Sequence, residues 1–142
     1  MSAANPYAPP SAPLAGDEPA LIESLPVAET WKRRFRAIAK AGGPRLPLFK
    51  SLPRAERRLA MGFNILAFLF GPLYYVAKGM WRRAISYMVL AVAAVLLIYL
   101  LLEAMGFGEF TRFLSYGIAA VFAMRANLDY YKCQVLGDRG WL

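Results

Sequence analysis

The side chains most suited to chemistry lie near the C-terminus, in the stretch "RANLDYYK". Arg125 and Asp129 are spaced i, i+4, so on a helix they share one face and can form an ion pair. Asn127 points elsewhere on such a helix, and Asn64 is an isolated polar residue in an earlier apolar segment. Two interpretations stay open: an exposed ion pair that ends the helix, or a polar cluster at a membrane boundary that turns inward to contact Asn64.

Residues that enzymes commonly use are scarce. The chain has no histidine and one cysteine, Cys133, which excludes a histidine triad, an intrachain disulfide and a thiolate zinc cage. The sequence pairs no nucleophile with a base and contains no phosphate-binding loop, metal-ligand spacing or pair of catalytic carboxylates. We therefore expect no catalytic residue, no metal, no cofactor and no enzymatic activity.

Composition indicates a membrane protein. The chain of 142 residues is 58% hydrophobic and carries a formal charge of +8, and its mean hydropathy is +0.38. Soluble domains are usually about 45–50% apolar, and a nucleic-acid-binding domain would be basic but much less apolar. We expect a bilayer partner rich in anionic lipid, and no nucleic acid.

The N-terminal half divides into two regions. Residues 1–26 hold six of the ten prolines and no Lys or Arg, which predicts a disordered Pro/Ala-rich tail without the pattern of a signal peptide. Residues 27–58 are predicted to be a basic cytoplasmic region that begins with an amphipathic helix ended by Gly42-Gly43-Pro44. That helix either packs on the domain or lies on anionic lipid with Trp31 at headgroup depth, and the two interpretations are compatible.

Residues 59–136 are predicted to be an all-α membrane domain, followed by a C-terminal tail over residues 137–142. Residues 84–102 are nineteen uncharged residues without Gly or Pro, long enough to cross a hydrocarbon core of about 30 Å. Residues 110–131 can return beside them, which predicts a transmembrane helical hairpin. Residues 59–77 are also nineteen uncharged residues, but Gly71-Pro72 interrupts them.

Charge predicts how residues 59–77 lie, because cations in short loops prefer the cytoplasm. Residues 31–58 contain ten basic residues and one acid, and residues 78–83 contain three more cations. If residues 59–77 crossed the bilayer, one of these clusters would lie outside. The pattern favours a re-entrant or interfacial segment broken at Gly71-Pro72, with the N-terminus cytoplasmic, although a third span remains the alternative.

Aromatic residues flank the apolar segments. We interpret these aromatic residues mainly as a belt at one leaflet, and a cage for a ligand is the alternative. The set is Trp31, Tyr74, Tyr75, Trp81, Tyr130 and Tyr131.

Two blocks of the sequence resemble the HrgC-like family of small bacterial membrane proteins, a family defined by a domain of unknown function. They are "NILAFLFGPLYYVAKGMWRRA" and "FAMRANLDYYK", with "WKRRF" upstream, and the resemblance covers roughly residues 30–135. It implies a multi-pass protein of the bacterial inner membrane and supplies no reaction. The matching residues are Phe70, Gly71, Pro72, Tyr74, Tyr75, Gly79, Met80, Trp81, Arg125, Ala126, Asn127, Asp129, Tyr130 and Tyr131.

These observations favour an interaction or scaffold protein whose basic cytoplasmic face binds anionic lipid or an acidic partner. The alternative is a subunit of an oligomeric transporter or channel, in which the Gly71-Pro72 break and the polar cluster line a path. A homo-oligomer or a membrane-protein partner is compatible with either function.

Overall fold

The computed structural model describes residues 17–142, and this part of the chain is helical without strands. Short 3₁₀ helices occupy Phe49–Ser51 and Gly108–Phe113. The α-helices are α1 (Glu18–Ser24), α2 (Glu29–Lys40), α3 (Arg54–Ala60), α4 (Ile65–Phe70), α5 (Pro72–Ala77), α6 (Trp81–Ala104) and α7 (Leu114–Gln134).

The core lies at one end of the molecule, where α2 packs on the C-terminal half of α7. Phe35 and Ile38 on the apolar face of α2 are fully buried. The Phe35 ring lies 5.6 Å from that of Tyr130 and 5.7 Å from that of Tyr131. The apolar face of α2 is therefore packed on the domain, as the first of the two interpretations predicts, while contact of its basic face with anionic lipid stays a prediction.

Helix α1 corrects part of the N-terminal prediction. Residues 18–24 are helical, whereas a disordered tail was expected through residue 26; residues 1–16 lie outside the described part of the chain. Ile22 is fully buried, and Arg36 of α2 holds the Glu23 carboxylate at 2.7 Å. Tertiary contacts thus order a short segment whose composition alone predicts disorder.

The break at Gly71-Pro72 separates two short helices. Gly71 has φ 47° and ψ −120°, a conformation that favours glycine, and Pro72 occupies the first position of α5, where a missing N–H costs nothing. Helices α4 and α5 contain 6 residues each, so each is only about 9 Å long. Neither half can cross a bilayer alone.

Both ends of residues 59–77 lie on the same side of the molecule. The Lys78 ammonium, just after α5, is 5.1 Å from the ring centroid of Trp31 in α2. The Asn64 amide before α4 donates to the Tyr74 hydroxyl of α5 at 3.0 Å. A crossing of about 30 Å would separate these groups, so the segment has the geometry of a return and not of a span.

Helix α6 is the one helix within residues 17–142 that is long and apolar enough to cross a membrane. Its 24 residues extend about 36 Å, and the most apolar part of the helix is unburied. Helix α7 returns antiparallel to it, since Arg83 near the start of α6 donates to the Asp129 carbonyl near the end of α7 at 2.9 Å. A membrane location for this helix pair stays a prediction.

Candidate functional site: a buried polar junction

Four polar side chains are buried where α4, α5, α6 and α7 meet the core. We call them the polar junction: Asn64, Arg83, Asn127 and Asp129, with exposures of 5%, 1%, 0% and 0%. A buried polar group without a partner costs free energy, so its hydrogen bonds determine which neighbours it must have.

Asn64 directly precedes α4 and joins this helix to α5 and α7. Its side-chain oxygen accepts from the Ala67 amide at 3.1 Å, which caps the helix. Its side-chain nitrogen donates to the side-chain oxygen of Asn127 at 3.3 Å as well as to the Tyr74 hydroxyl. The polar residue that looked isolated in an apolar segment therefore fixes the start of α4 against α5 and α7.

Asn127 is the hub on α7. Its amide nitrogen donates to the Gly62 carbonyl at 2.6 Å. Its oxygen accepts from Arg34 of α2 at 3.3 Å as well as from Asn64. One side chain thus connects α2, α7 and the chain that enters α4.

Asp129 lies in a separate network. Its Oδ2 accepts from the Tyr75 hydroxyl at 3.0 Å and from the Tyr87 hydroxyl at 2.9 Å. Its Oδ1 has no hydrogen-bond partner, and the Arg125 guanidinium lies 3.8 Å from it. The carboxylate is fully buried, while the Arg125 side chain is 47% exposed.

The junction differs from the predicted cluster in its pairing. Asn64 contacts Asn127, which was expected to point elsewhere on α7, and forms no hydrogen bond to Asp129. The interpretation of Arg125 and Asp129 as an exposed pair is wrong for Asp129, because this residue is buried against two tyrosines. Arg125 does reach the surface, since long cationic side chains bury their stems and solvate their heads.

Arg83 is the junction residue that sequence reasoning missed, because it counted only as an orientation signal. Its Nη1 donates to the Asp129 carbonyl, and its Nη2 lies 2.8 Å from the Asp138 carboxylate. Its Nε has no partner. A signal was available in its position within the first turn of a long apolar helix, but the pattern could not indicate whether it faces inward.

Most of the aromatic residues that were predicted to form a belt belong to the core instead. Tyr74, Tyr75, Tyr130 and Tyr131 are buried, with Tyr75 and Tyr131 at 0% exposure, so they cannot line a lipid-facing surface and the belt prediction is wrong for them. Trp31 is half-buried and Trp81 exposed. A belt role therefore remains open only for the two tryptophans.

The protein's own cation occupies an aromatic site. Lys78 Nζ lies 4.8 Å from the ring centroid of Tyr130, 5.1 Å from that of Trp31 and 6.0 Å from that of Tyr74. These distances are typical of cation–π contacts. If these rings formed a cage for a ligand, the Lys78 ammonium would have to move out from among them.

The junction's evident capacity is to hold helices together. Within residues 17–142, no cluster of three His, Cys, Asp or Glu residues that could hold a metal is present. Asparagine amides, tyrosine hydroxyls and a buried carboxylate supply hydrogen bonds between the helices. The open Oδ1 of Asp129 is the one acceptor in the junction left without a hydrogen bond.

Fold and site together define a small helical protein with one long apolar helix and a buried polar junction at one end. The chain belongs to the family described as "Protein of unknown function (DUF2628)", whose model matches residues 23–135. This match confirms the expectation of a family of unknown function.

The chain is similar to curated proteins from enteric bacteria. It is 26% identical over 122 residues to "Uncharacterized protein YigF" of Salmonella typhimurium (strain LT2), a match that covers 81% of this chain and 90% of the relative. The protein of the same name from Escherichia coli (strain K12) is 25% identical with the same coverage. No solved structure matched the chain significantly.

Proposed function

We propose that this protein is a small integral protein of the bacterial inner membrane, of the HrgC-like type, with a non-enzymatic role. Its basic cytoplasmic face binds anionic lipid or an acidic partner, and the junction holds that face against the membrane segments. The observation that carries the proposal is the separation of two surfaces, one apolar and one basic, on a single chain.

The apolar surface supports the membrane location. Nearly all the large exposed apolar side chains belong to residues 61–124. Soluble monomers rarely expose contiguous apolar patches of more than a few hundred Å², whereas a bilayer would cover such a surface. The most apolar 18 residues of helix α6 are unburied and extend about 27 Å, so this helix would cross, and α4 and α5 would dip and return.

The basic surface supports the lipid-facing role. Residues 31–58 carry ten Lys or Arg and one acid, and Lys78 brings residues 78–83 to the same side through its contact with Trp31. Cations beside a membrane helix attract anionic headgroups, at about 1 kcal/mol each near the surface. Exposed cations of residues 31–58 that form no ion pair with another described residue are Arg33, Arg45, Lys50, Arg54 and Arg58.

The topology is tested with single cysteines at Ser51, Arg82 and Met105 in a Cys133→Ser background; all three native residues are exposed. An impermeant thiol reagent applied to the outer face of the inner membrane should label position 105 alone, and permeabilisation should expose all three. Labelling at position 82 before permeabilisation would mean that residues 59–77 cross. Recovery of the protein in the soluble fraction would overturn the proposal.

Lipid binding is tested by thermal unfolding of the full chain in neutral detergent with added phosphatidylglycerol or phosphatidylcholine. Phosphatidylglycerol should stabilise the protein more, and high salt should reduce the difference, because screening weakens surface attraction. The double variant Arg54→Gln/Arg58→Gln should lose part of this preference. Arg112→Gln, 70% exposed beyond the other end of α6, is the matched control and should retain it.

A transporter or channel subunit is the second candidate. The buried Asp129 favours it, because a carboxylate oxygen without a hydrogen bond could accept a proton or a small cation during transport. Proteoliposomes loaded with a pH-sensitive dye test this role. Proton flux that disappears in Asp129→Asn would support it, and an impermeable vesicle would leave the lipid-binding role as the better explanation.

A further inference from the structure

A cavity of about 190 Å³ lies between the start of α6 and the C-terminal tail. Three arginines, Arg82, Arg83 and Arg139, line it, together with the Asp138 carboxylate and the Cys133 side chain. Since a water molecule occupies about 30 Å³ in the liquid, the cavity has room for a tetrahedral oxyanion. Three cations facing one anion leave it with an excess of positive charge.

Arg83 makes the cavity a built site and not a surface depression. Its side chain is 2% exposed, and within residues 17–142 only Nη1 is committed to a protein hydrogen bond, to the Asp129 carbonyl. Its Nε lacks a hydrogen bond, and its Nη2 lies near Asp138 without a well-aligned one. A buried guanidinium with unused donors needs an acceptor, and a phosphate matches the geometry of its nitrogens.

Asp138 occupies the position that such an anion would take. Its Oδ2 lies 2.8 Å from Arg83 Nη2, while its Oδ1 accepts from the Gly140 amide at 2.8 Å. The Asp138 side chain is 43% exposed on the tail, so it can turn into solvent when a stronger acceptor arrives. The carboxylate marks where negative charge is stabilised.

The cavity also lies at the depth of lipid headgroups if α6 crosses the bilayer. The rings of Trp81 and Trp141 pack 5.8 Å apart beside it and are 49% and 52% exposed. The Arg82 guanidinium lies 5.4 Å from the Trp81 ring centroid. Tryptophan is enriched at membrane interfaces, and basic pockets on the cytoplasmic side bind phosphate-bearing headgroups.

We propose that this arginine pocket binds the phosphate group of an anionic phospholipid at the cytoplasmic end of α6. The proposal rests on the proposed membrane location and adds to it one defined site, separate from the diffuse attraction of α2 and α3. Arg83 contacts the phosphate through Nε and Nη2, Arg82 and Arg139 close over it, and Asp138 moves out.

Titration of the full chain in neutral detergent, followed by tryptophan fluorescence, tests the site with dioctanoyl phosphatidylglycerol, dioctanoyl phosphatidylcholine and inorganic phosphate. Phosphatidylglycerol should bind most tightly. Arg82→Gln/Arg139→Gln should weaken its binding by roughly fivefold for each arginine removed. Both residues are exposed, so these variants should fold, whereas Arg83→Gln would also release the Asp129 carbonyl.

Two controls separate the pocket from general charge. Arg54→Gln/Arg58→Gln removes the same charge elsewhere on the basic face and should affect binding in this assay much less. Asp138→Asn should tighten binding, because the competing carboxylate is gone. In the unmodified chain, phosphatidylglycerol should also slow alkylation of Cys133, which lines the cavity.

If the two double variants weakened phosphatidylglycerol binding equally, the pocket proposal would be wrong, while the proposal of a lipid-binding basic face would stand. Inorganic phosphate binding as tightly as phosphatidylglycerol would overturn the assignment to lipid. Failure of the topology test at positions 51, 82 and 105 would instead remove the membrane location itself, so the two failures are distinguishable.

Discussion

Replacing Asp129 should reveal how much the buried half of the junction contributes to stability. Two variants separate charge from hydrogen bonding. Asp129→Asn keeps an oxygen where Oδ2 accepts from Tyr75 and Tyr87 and removes only the charge. Asp129→Ala removes the acceptor altogether and leaves the Tyr75 hydroxyl only its longer bond to the Phe122 carbonyl at 3.4 Å.

The magnitudes follow from the geometry. A hydrogen bond to a charged group is worth about 1.5–3 kcal/mol and one to a neutral group about 0.5–1.5 kcal/mol, so Asp129→Asn should cost about 1–2 kcal/mol over two bonds, reduced by relief of the buried charge. Asp129→Ala removes two hydrogen bonds to a charged acceptor and leaves a small cavity, which together should cost about 3–5 kcal/mol. For a chain of this size that is a fall in Tm of roughly 10–15 °C.

The assay is thermal unfolding in a neutral detergent, with Glu109 as the internal comparison. Glu109 and Arg112 lie 3.9 Å apart and Asp129 and Arg125 lie 3.8 Å apart, but the Glu109 side chain is 92% exposed and that of Asp129 is fully buried. Glu109→Ala should change stability by less than about 0.5 kcal/mol. Equal Tm values for Asp129→Ala and Glu109→Ala would refute the reasoning, because burial would then have no energetic consequence.

Three further predictions concern the break, the hub and α1. Gly71→Ala should destabilise by about 1–3 kcal/mol because φ 47° strains alanine, whereas Gly117→Ala inside α7 should be neutral or stabilising in the same melts. Asn127→Ala should cost about 2–4 kcal/mol through its lost contacts with Asn64, Arg34 and Gly62, against Gln134→Ala as control; a silent Asn127→Ala would contradict its role as hub. The Arg36 hydrogen bond lowers the pKa of Glu23, so this contact stabilises α1 above the unfolded-state pKa and is lost as pH falls through the folded-state pKa. The protection factors of the α1 amides, which compare observed exchange with the intrinsic rate at each pH, should therefore fall at acid pH in the unmodified protein. In Glu23→Gln the protection factors should lack this pH dependence.

The elements that the sequence predicted well are those with strong local signals. Nineteen consecutive uncharged residues locate the middle of α6, and helical periodicity ended by glycines locates α2. The return of residues 59–77, predicted from charge, stays a prediction; the contact between Lys78 and Trp31 is compatible with it. Local rules suffice where length, period or charge decides the outcome.

Tertiary contacts decided what the sequence did not predict. Helix α1 is only 7 residues long and is ordered by burial of Ile22, which no local pattern encodes. Asn64 and Asn127 are 63 positions apart, so their contact depends on how α4 packs on α7. The tyrosines suited a belt by composition, but Tyr75 and Tyr131 turn inward because the short helix α5 and the end of α7 supply the core at that end.

The polar junction explains why an apolar segment can return without relying on the bilayer to hold it. Asn64 precedes the Gly71 break, Tyr74 follows it, and their side chains share a hydrogen bond. This bond fixes the angle between α4 and α5, which apolar contacts alone do not specify. Asn127 then ties this pair to α2, and Asp129 ties α5 and α6 to α7 through Tyr75 and Tyr87. Because hydrogen bonds are directional and dispersion contacts are not, the polar side chains set the arrangement and the apolar ones supply area. The contact of Lys78 with Trp31 also holds the start of residues 78–83 beside α2, which is a condition for the basic face and the arginine pocket that we propose.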